Sequence, residues 1–395
     1  MKYFNVYIDG VLSDITVEDG IITDIASCET GHPEYSDVFF ALPGLVNMHT
    51  HSAMTLLRSA GSGLPLHRWL QEAIFPREAK LTPQLIYKGA CNACDEMLNT
   101  GTTAFNDMYF CIESTIQAAR EKGMRANVAL SVTDNDFDNP NLISDFMKIL
   151  TSDSYGSLTV SIAPHSIYAV SGRHLQYLAD FAKENGTLFH MHLSETLKER
   201  EDCLRENGIP PVVYLDKLGI FDKVGEKFIG AHSLWLDPDE IRILGDVHAT
   251  VAHCPNSNLK LGSGYKFLYT ELRDAGVNVT LATDGCASSD NLDMIEAMKT
   301  MSLLQKGIRN DPSVLPANEV FGVATANGRR ALGLPDNTIK RGNCSDFFLV
   351  NINNIVFEGI DYLHSTPAQI HEEFLNRLIY AGNGSLVSKT VTPLS

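Results

Sequence analysis

An α/β fold, a (β/α)8 barrel carrying a small β domain built from both chain ends, is predicted by three observations. Eight short apolar or β-branched runs recur through the middle of the chain, stretches with helical spacing separate most of them, and the two ends depart from that alternation. The runs are "GLVNMH" (44–49), "GTTAFND" (101–107), "MRANVALSVTD" (124–134), "LTVSIAPHS" (158–166), "TLFHMHLSE" (187–195), "FIGAHSLWL" (228–236), "ATVAHCPNSN" (249–258) and "NVTLATDG" (278–285). Eight strand–helix units over roughly 290 residues have the count and size of a closed barrel, whereas a doubly wound open sheet does not need eight.

The intervening helices carry end signals. "TPQLIYKGACNACDEMLNTG" opens with Thr82 as N-cap before Pro83, and "SGRHLQYLADFAKENG" stops at Gly186. The ends read differently. Residues 1–42 show short alternating strands with turns at Asp9-Gly10 and Asp19-Gly20, and strands return in "NTIKRGNCSDFFLVNINN" and the tail "NRLIYAGNGSLVSKTV". Neither end is long enough for a core of its own. Residues 1–42 and 337–395 are therefore expected to form one small domain beside a barrel of residues 43–336.

Bulk properties narrow the function classes. Of 395 residues 44% are apolar and 20% charged, ordinary for a globular protein with a substantial core. No stretch approaches the roughly 18 consecutive apolar residues of a membrane helix, and the start lacks a signal-peptide pattern, so a cytoplasmic protein is expected. The net charge of −17, with 48 acidic against 31 basic residues, disfavours nucleic acid and anionic membranes and suits a neutral or cationic small molecule. Eight cysteines include one CxxC, Cys91 and Cys94, which in a helical stretch reads as small buried residues one turn apart.

Polar residues gather at the strand ends, where barrel enzymes assemble their sites. The first strand ends in His49 and His51, whose i, i+2 spacing aims two imidazoles to one side. The fourth to eighth end in His165, His192, His232, His253 and Asp284. One strand-end histidine is usually a hydrogen-bonded rim residue; six with an aspartate at one mouth, from 13 histidines in the chain, indicate chemistry. His49, His51, His192 and Asp284 are the expected ligands of one divalent ion, Zn²⁺ first and Fe²⁺ as the alternative. Asp284 qualifies because the last strand of a closed barrel lies beside the first. His190, one layer deeper, is expected to fill the barrel.

The series "PGLVNMHTH", "PHSIYAVS", "HLSE", "GAHS", "AHCPNSNLKLGSG" and "ATDGCAS" resembles the amidohydrolase superfamily, most closely its 5-methylthioadenosine/S-adenosylhomocysteine deaminase and chlorohydrolase branch. The likeness runs in order from about residue 36 to 350. It implies a distorted TIM barrel with a small β-sandwich from both termini, and a hydrolytic deaminase in which hydroxide attacks the purine carbon bearing the amino group. It also implies roles: Glu195 as proton shuttle, with His232 and Asp284 orienting and deprotonating the water. Two-metal members carry a bridging lysine on the fourth strand; "LTVSIAPHS" has none, so one metal is expected.

By the same resemblance, "LHRWLQEAIFPREAKLT" places Trp69 over the substrate and Glu78 on the ribose hydroxyls. His165, with His192, is expected to line the pocket, and His253 to support the water and Asp284 from behind. Two departures stand out. The arginines that relatives accepting S-adenosylhomocysteine use after the third strand are absent from "ANVALSVTDNDFDNPNLISDF". Adenosine, 5′-deoxyadenosine or 5′-methylthioadenosine is thus the expected substrate. The chain also ends at "SKTVTPLS", where relatives continue through another strand, so the small domain is expected to lack an edge or be finished by a partner; a homo-oligomer is expected. The alternatives are an aminohydrolase or chlorohydrolase of another heterocycle (guanine, cytosine, a pterin, a triazine) and a dead barrel kept for assembly, the latter opposed by the complete residue set.

Overall fold

The computed structural model describes residues 1–28, 31, 37–152 and 158–393. Its strands, in chain order, are β1 (Lys2–Ile8), β2 (Val11–Glu18), β3 (Ile21–Ser27), β4 (Phe39–Pro43), β5 (Leu45–Thr50), β6 (Thr102–Tyr109) and β7 (Arg125–Val132). They continue with β8 (Thr159–Pro164), β9 (Phe189–Leu193), β10 (Phe228–His232), β11 (Thr250–His253), β12 (Asn278–Leu281), β13 (Phe347–Asn351) and β14 (Val387–Val391). Each of the eight central runs in the sequence overlaps one of β5 to β12. These pair in sequential order as an eight-stranded parallel sheet, with helices outside.

Burial on both faces explains why these strands read as continuous apolar runs instead of an alternation. Every residue of β5, β6, β9, β10 and β11 is buried. Between the first and last barrel strands the seam is sealed by one side chain and one backbone bond. Asn47 Nδ2 donates to Thr283 Oγ1 at 2.7 Å, Thr283 N–H returns to Asn47 Oδ1 at 3.1 Å, and Asp284 N–H donates to the His49 carbonyl at 3.0 Å. That arrangement brings Asp284 beside the histidines of β5.

The two chain ends make a second sheet, in the order β14-β13-β4-β1-β2-β3, with only β1 and β4 parallel. Ile21 at the start of β3 bridges back to Cys344, just ahead of β13, so the sheet folds over a shared core containing Val6, Ile15, Ile22, Phe347 and Val391. Gly44 alone separates β4 of this sheet from β5 of the barrel. The tail read as strand over 376–391 is one only at Val387–Val391. Its first residues, 376–381, end the helix Pro367–Ala381, which opens on a Thr366–Gln369 capping box, stacks Phe374 on Phe40 (4.0 Å between ring centroids) and packs into the barrel's helical layer.

Local signals behave as the chemistry requires. Thr82 Oγ1 accepts from Leu85 N–H at the start of helix Pro83–Asn99, and the helix Gly172–Asn185 ends on Gly186 in the left-handed conformation. Cys91 and Cys94 lie in the first of these as free thiols, Cys94 buried. No described helix is long and apolar enough to cross a membrane.

Candidate active site

The C-terminal ends of β5, β9, β10 and β12 converge on one point. His51 Nε2 lies 3.3 Å from Asp284 Oδ1 and 3.3 Å from His192 Nε2, and His49 Nε2 lies 3.5 Å from Asp284 Oδ1. Two overlapping groups, His49–His51–His192 and His49–His232–Asp284, each bring their ligand atoms within 4.8 Å of one another. The structure thus gathers all four expected ligands, and adds His232 at similar range.

Hydrogen bonds on the far side of the rings prepare two of them. A backbone carbonyl can only accept, so the Met108 carbonyl, 2.6 Å from His51 Nδ1, draws the ring proton there, and the His165 carbonyl does the same 2.9 Å from His192 Nδ1. Each ring is left with an unprotonated Nε2 facing the cluster. His49 Nε2 is buried without a hydrogen-bond partner, and its Nδ1 meets His190 Nε2 at 3.0 Å. His190 fills the layer below as expected, yet it also touches His49 and, at 3.1 Å, Asn106. Asn258 Nδ2 donates to His232 Nδ1 at 2.8 Å, which places that ring's proton on Nε2, 3.8 Å from Glu195 Oε2.

Burial keeps His49, His165, His192 and His232 neutral. It lowers His49, His165 and His232 to about 4 and holds His192 well below its ordinary value. For Asp284 burial pushes upward, but the facing histidine rings, His49 first at 3.5 Å, outweigh it and keep the carboxyl well below the usual range. Its Oδ2 accepts from Ser257 Oγ at 2.6 Å and Ser288 Oγ at 3.0 Å, leaving Oδ1 toward the histidines. Glu195, 3% exposed, behaves oppositely: burial first, then the Asp284 charge, raise it to about 8.

Three backbone positions hold this geometry at a cost. Ser194 (φ 47°), His232 (φ 69°) and Asp284 (φ 67°) are all left-handed without being glycine. Such conformations cost about 1–3 kcal/mol each and cluster where a side chain must be aimed. At Ser194 the compensation is visible: the buried Glu199 carboxylate accepts from Ser194 N–H and Glu195 N–H, both at 2.9 Å. Sequence reading missed Ser257, Ser288, Asn258, Glu199 and Ser263. Glu199 lay outside every quoted motif; for the four others the only signal was membership in "AHCPNSNLKLGSG" and "ATDGCAS", quoted for the histidine and aspartate they carry.

Above the cluster opens a cavity of about 240 Å³, lined by His51, His165, His192, Glu195, His232 and Asp284 below and by Trp69, Glu78, Tyr109, Asp136 and Tyr168 around the wall. Trp69 opens a wide π-helical turn, Trp69–Ile74, and donates from Nε1 to the Ala60 carbonyl at 2.7 Å. Glu78 accepts from Tyr109 OH at 2.6 Å, and burial raises its carboxyl. No arginine or lysine lines this cavity. His253 departs from expectation. It stacks on Phe267 at 3.9 Å with both ring nitrogens unpartnered among the described residues, so it makes no hydrogen bond to Asp284. A larger cavity, about 1300 Å³, lies at the strands' N-terminal ends, where barrels carry stability instead of chemistry.

Comparison with known proteins agrees with this geometry. The amidohydrolase family model matches residues 40–371. A 5-methylthioadenosine/S-adenosylhomocysteine deaminase 1 from Archaeoglobus fulgidus is 44% identical over 315 residues, 79% of this chain and 74% of the relative. A 5′-deoxyadenosine deaminase from Methanocaldococcus jannaschii is 36% identical over 391 residues, covering 96% and 90%. The crystal structure of an adenosine deaminase from Xanthomonas campestris with bound zinc superposes with a TM-score of 0.83 at 29% identity, covering 96% of this chain and 87% of that one. With a family model spanning most of the sequence and relatives at these identities, the chain belongs to the amidohydrolase family.

Proposed function

We propose that this chain is a metal-dependent hydrolytic deaminase that converts an adenosine-like nucleoside to its inosine analogue and ammonia. The observation that carries the reading is a buried carboxyl, Glu195, which burial pushes above the usual carboxylate range, standing between a histidine–aspartate cluster and a cavity whose wall presents Trp69 and Glu78. The relatives' names point to the same substrate class.

The donor set fits a single divalent ion, zinc first. The unpartnered His49 Nε2, the Nε2 atoms of His51 and His192 that face the cluster, and Asp284 supply three nitrogen donors and one oxygen. An ion held there would lower the pKa of a water to near neutrality and so supply hydroxide. His232, with its proton on Nε2, orients the attacking oxygen, and Asp284 takes the proton that oxygen loses. Attack on the ring carbon builds charge on the adjacent ring nitrogen; Glu195 protonates that nitrogen and afterwards carries a proton to the departing amino group. Zinc nucleobase deaminases of an unrelated fold likewise use a glutamate that is not a ligand. Glu78 accepts from the ribose hydroxyls while Trp69 covers the base.

The cavity favours an uncharged 5′ substituent. With Glu78 and Asp136 on its wall and no arginine or lysine there among the described residues, a substrate carboxylate meets no guanidinium or ammonium counter-charge. Adenosine, 5′-deoxyadenosine and 5′-methylthioadenosine are therefore preferred over S-adenosylhomocysteine. The test is ammonia release by protein of measured metal content across these four, guanine and cytosine. Turnover of the neutral adenosines supports the reading. Turnover of guanine or cytosine alone would move it to another heterocycle.

A further inference from the structure

The turn that follows helix Pro255–Leu261 is built around one hydroxyl. Ser263 is buried, and its Oγ donates to Glu195 Oε1 at 3.0 Å. Its own N–H donates to the Asn258 carbonyl at 2.9 Å, and its carbonyl accepts from Trp235 Nε1 at 2.8 Å. On either side stand Gly262 (φ 65°) and Gly264 (φ 153°), conformations that side chains rarely tolerate. A Cβ at Gly264 would also lie 3.2 Å from the Trp235 indole nitrogen. Both neighbours and both backbone polar groups of Ser263 are thus committed to one geometry, which fixes where its hydroxyl points.

The hydroxyl meets one oxygen of Glu195, while the other, Oε2, stands 3.8 Å from His232 Nε2. A carboxyl whose Oε1 accepts a hydroxyl hydrogen keeps its own proton on the opposite oxygen. From this geometry we infer that Ser263 is a positioning residue for deamination, holding Glu195 Oε1 so that Oε2 is the oxygen that releases and recovers the proton. The inference rests on the shuttle role proposed for Glu195. In that step the Oε2–H bond breaks as an N–H bond forms on the ring nitrogen, and the Ser263 hydroxyl stabilises the carboxylate left behind. Oε2 then recovers, by way of Asp284, the proton lost by the attacking water and delivers it to the leaving amino group, which departs as ammonia.

Burial raises the Glu195 carboxyl to about 8 while the Ser263 hydrogen bond pulls against it. Removing the hydroxyl should leave an acid that is worse placed and harder to ionise, a combination that mere loss of packing does not produce. Ser263→Ala and Ser263→Thr, both zinc-loaded, test this. Expected for Ser263→Ala are a kcat lower by about 10- to 100-fold, a KM within about threefold, unchanged metal content, and an alkaline limb of the kcat profile moved to higher pH. Ser263→Thr, which keeps the hydroxyl, should restore kcat to within about fivefold of the parent. Ser263→Cys, with a weak donor of similar shape, replaces alanine should that variant not fold.

An arm independent of turnover follows the infrared band of the protonated Glu195 carboxyl, identified by its absence in Glu195→Gln. Its titration midpoint should rise in Ser263→Ala. A parent-like kcat in Ser263→Ala, a Ser263→Thr as slow as Ser263→Ala, or an unmoved midpoint would each overturn the inference. A parent protein silent on every nucleoside, with the midpoint still shifted, would sink the deaminase reading and leave the Ser263–Glu195 coupling standing.

Discussion

Glu195→Gln should slow catalysis and, in the metal-free protein, raise stability in a pH-dependent way. Glu195 is 3% exposed, and burial is the chief cause of its rise from 4.5 to about 8. Because the folded value lies above the unfolded one, the folded state binds the extra proton between pH 4.5 and 8. The stabilising effect of that proton is complete below about pH 4.5 and is lost as pH rises through about 8. At about 1.4 kcal/mol per pH unit, the interval from 4.5 to about 8 sets a ceiling of about 5 kcal/mol. Glutamine stays neutral throughout and its carbonyl can still accept from Ser263. Chelated Glu195→Gln should therefore match the parent near pH 4 and exceed it by about 2–5 kcal/mol at pH 8.5, water entering the cavity accounting for the lower figure. Urea denaturation of both proteins at several pH values measures the difference. Turnover of the metal-loaded variant should fall about 10²- to 10⁴-fold. Equal stability at pH 8.5, or a gain of the same size at pH 4, would refute the claim that burial holds a proton on this carboxyl.

Other perturbations separate metal, substrate and scaffold. His51→Ala and His192→Ala should each reduce bound metal well below one ion per chain, as read by emission spectroscopy, and chelation of the parent should abolish ammonia release until metal is restored. Glu78→Gln should raise KM for ribosides about 10- to 100-fold with kcat within about fivefold. Tyr109→Phe, which removes the 2.6 Å bond to Glu78, should do the same more weakly; a kcat effect larger than the KM effect in either would place Glu78 in the chemistry. Asn47→Ala deletes both side-chain bonds across the barrel seam and should cost about 2–4 kcal/mol in denaturation, with metal affinity falling alongside because Asp284 sits on that seam.

Part of the design was legible because it is periodic. A strand buried on both faces must be apolar along its length, so β5 to β12 announced themselves as short runs, and their number implied a barrel. The cluster was legible for a related reason. A parallel barrel sends all its strand C-termini to one mouth, so polar residues at the ends of successive runs must meet there; His49, His51, His192, His232 and Asp284 do. His253 shows where that logic stops. A strand end gives a position and no ring orientation, and this ring turns onto Phe267.

By itself the sequence determined the strand–helix alternation, the joining of the two ends, and the set of residues at the mouth, because each depends on local composition and chain order. Only the tertiary structure decided how those residues are held. The Met108 and His165 carbonyls that set two tautomers, the Ser257 and Ser288 hydroxyls on Asp284, Glu199 beneath a left-handed Ser194, and Ser263 against Glu195 come from a strand, loops and helices with no common period. Hydrogen bonds of this kind depend on distances of a few tenths of an ångström between segments up to 68 residues apart, as for Ser263 and Glu195, and no local pattern in a chain encodes such a distance.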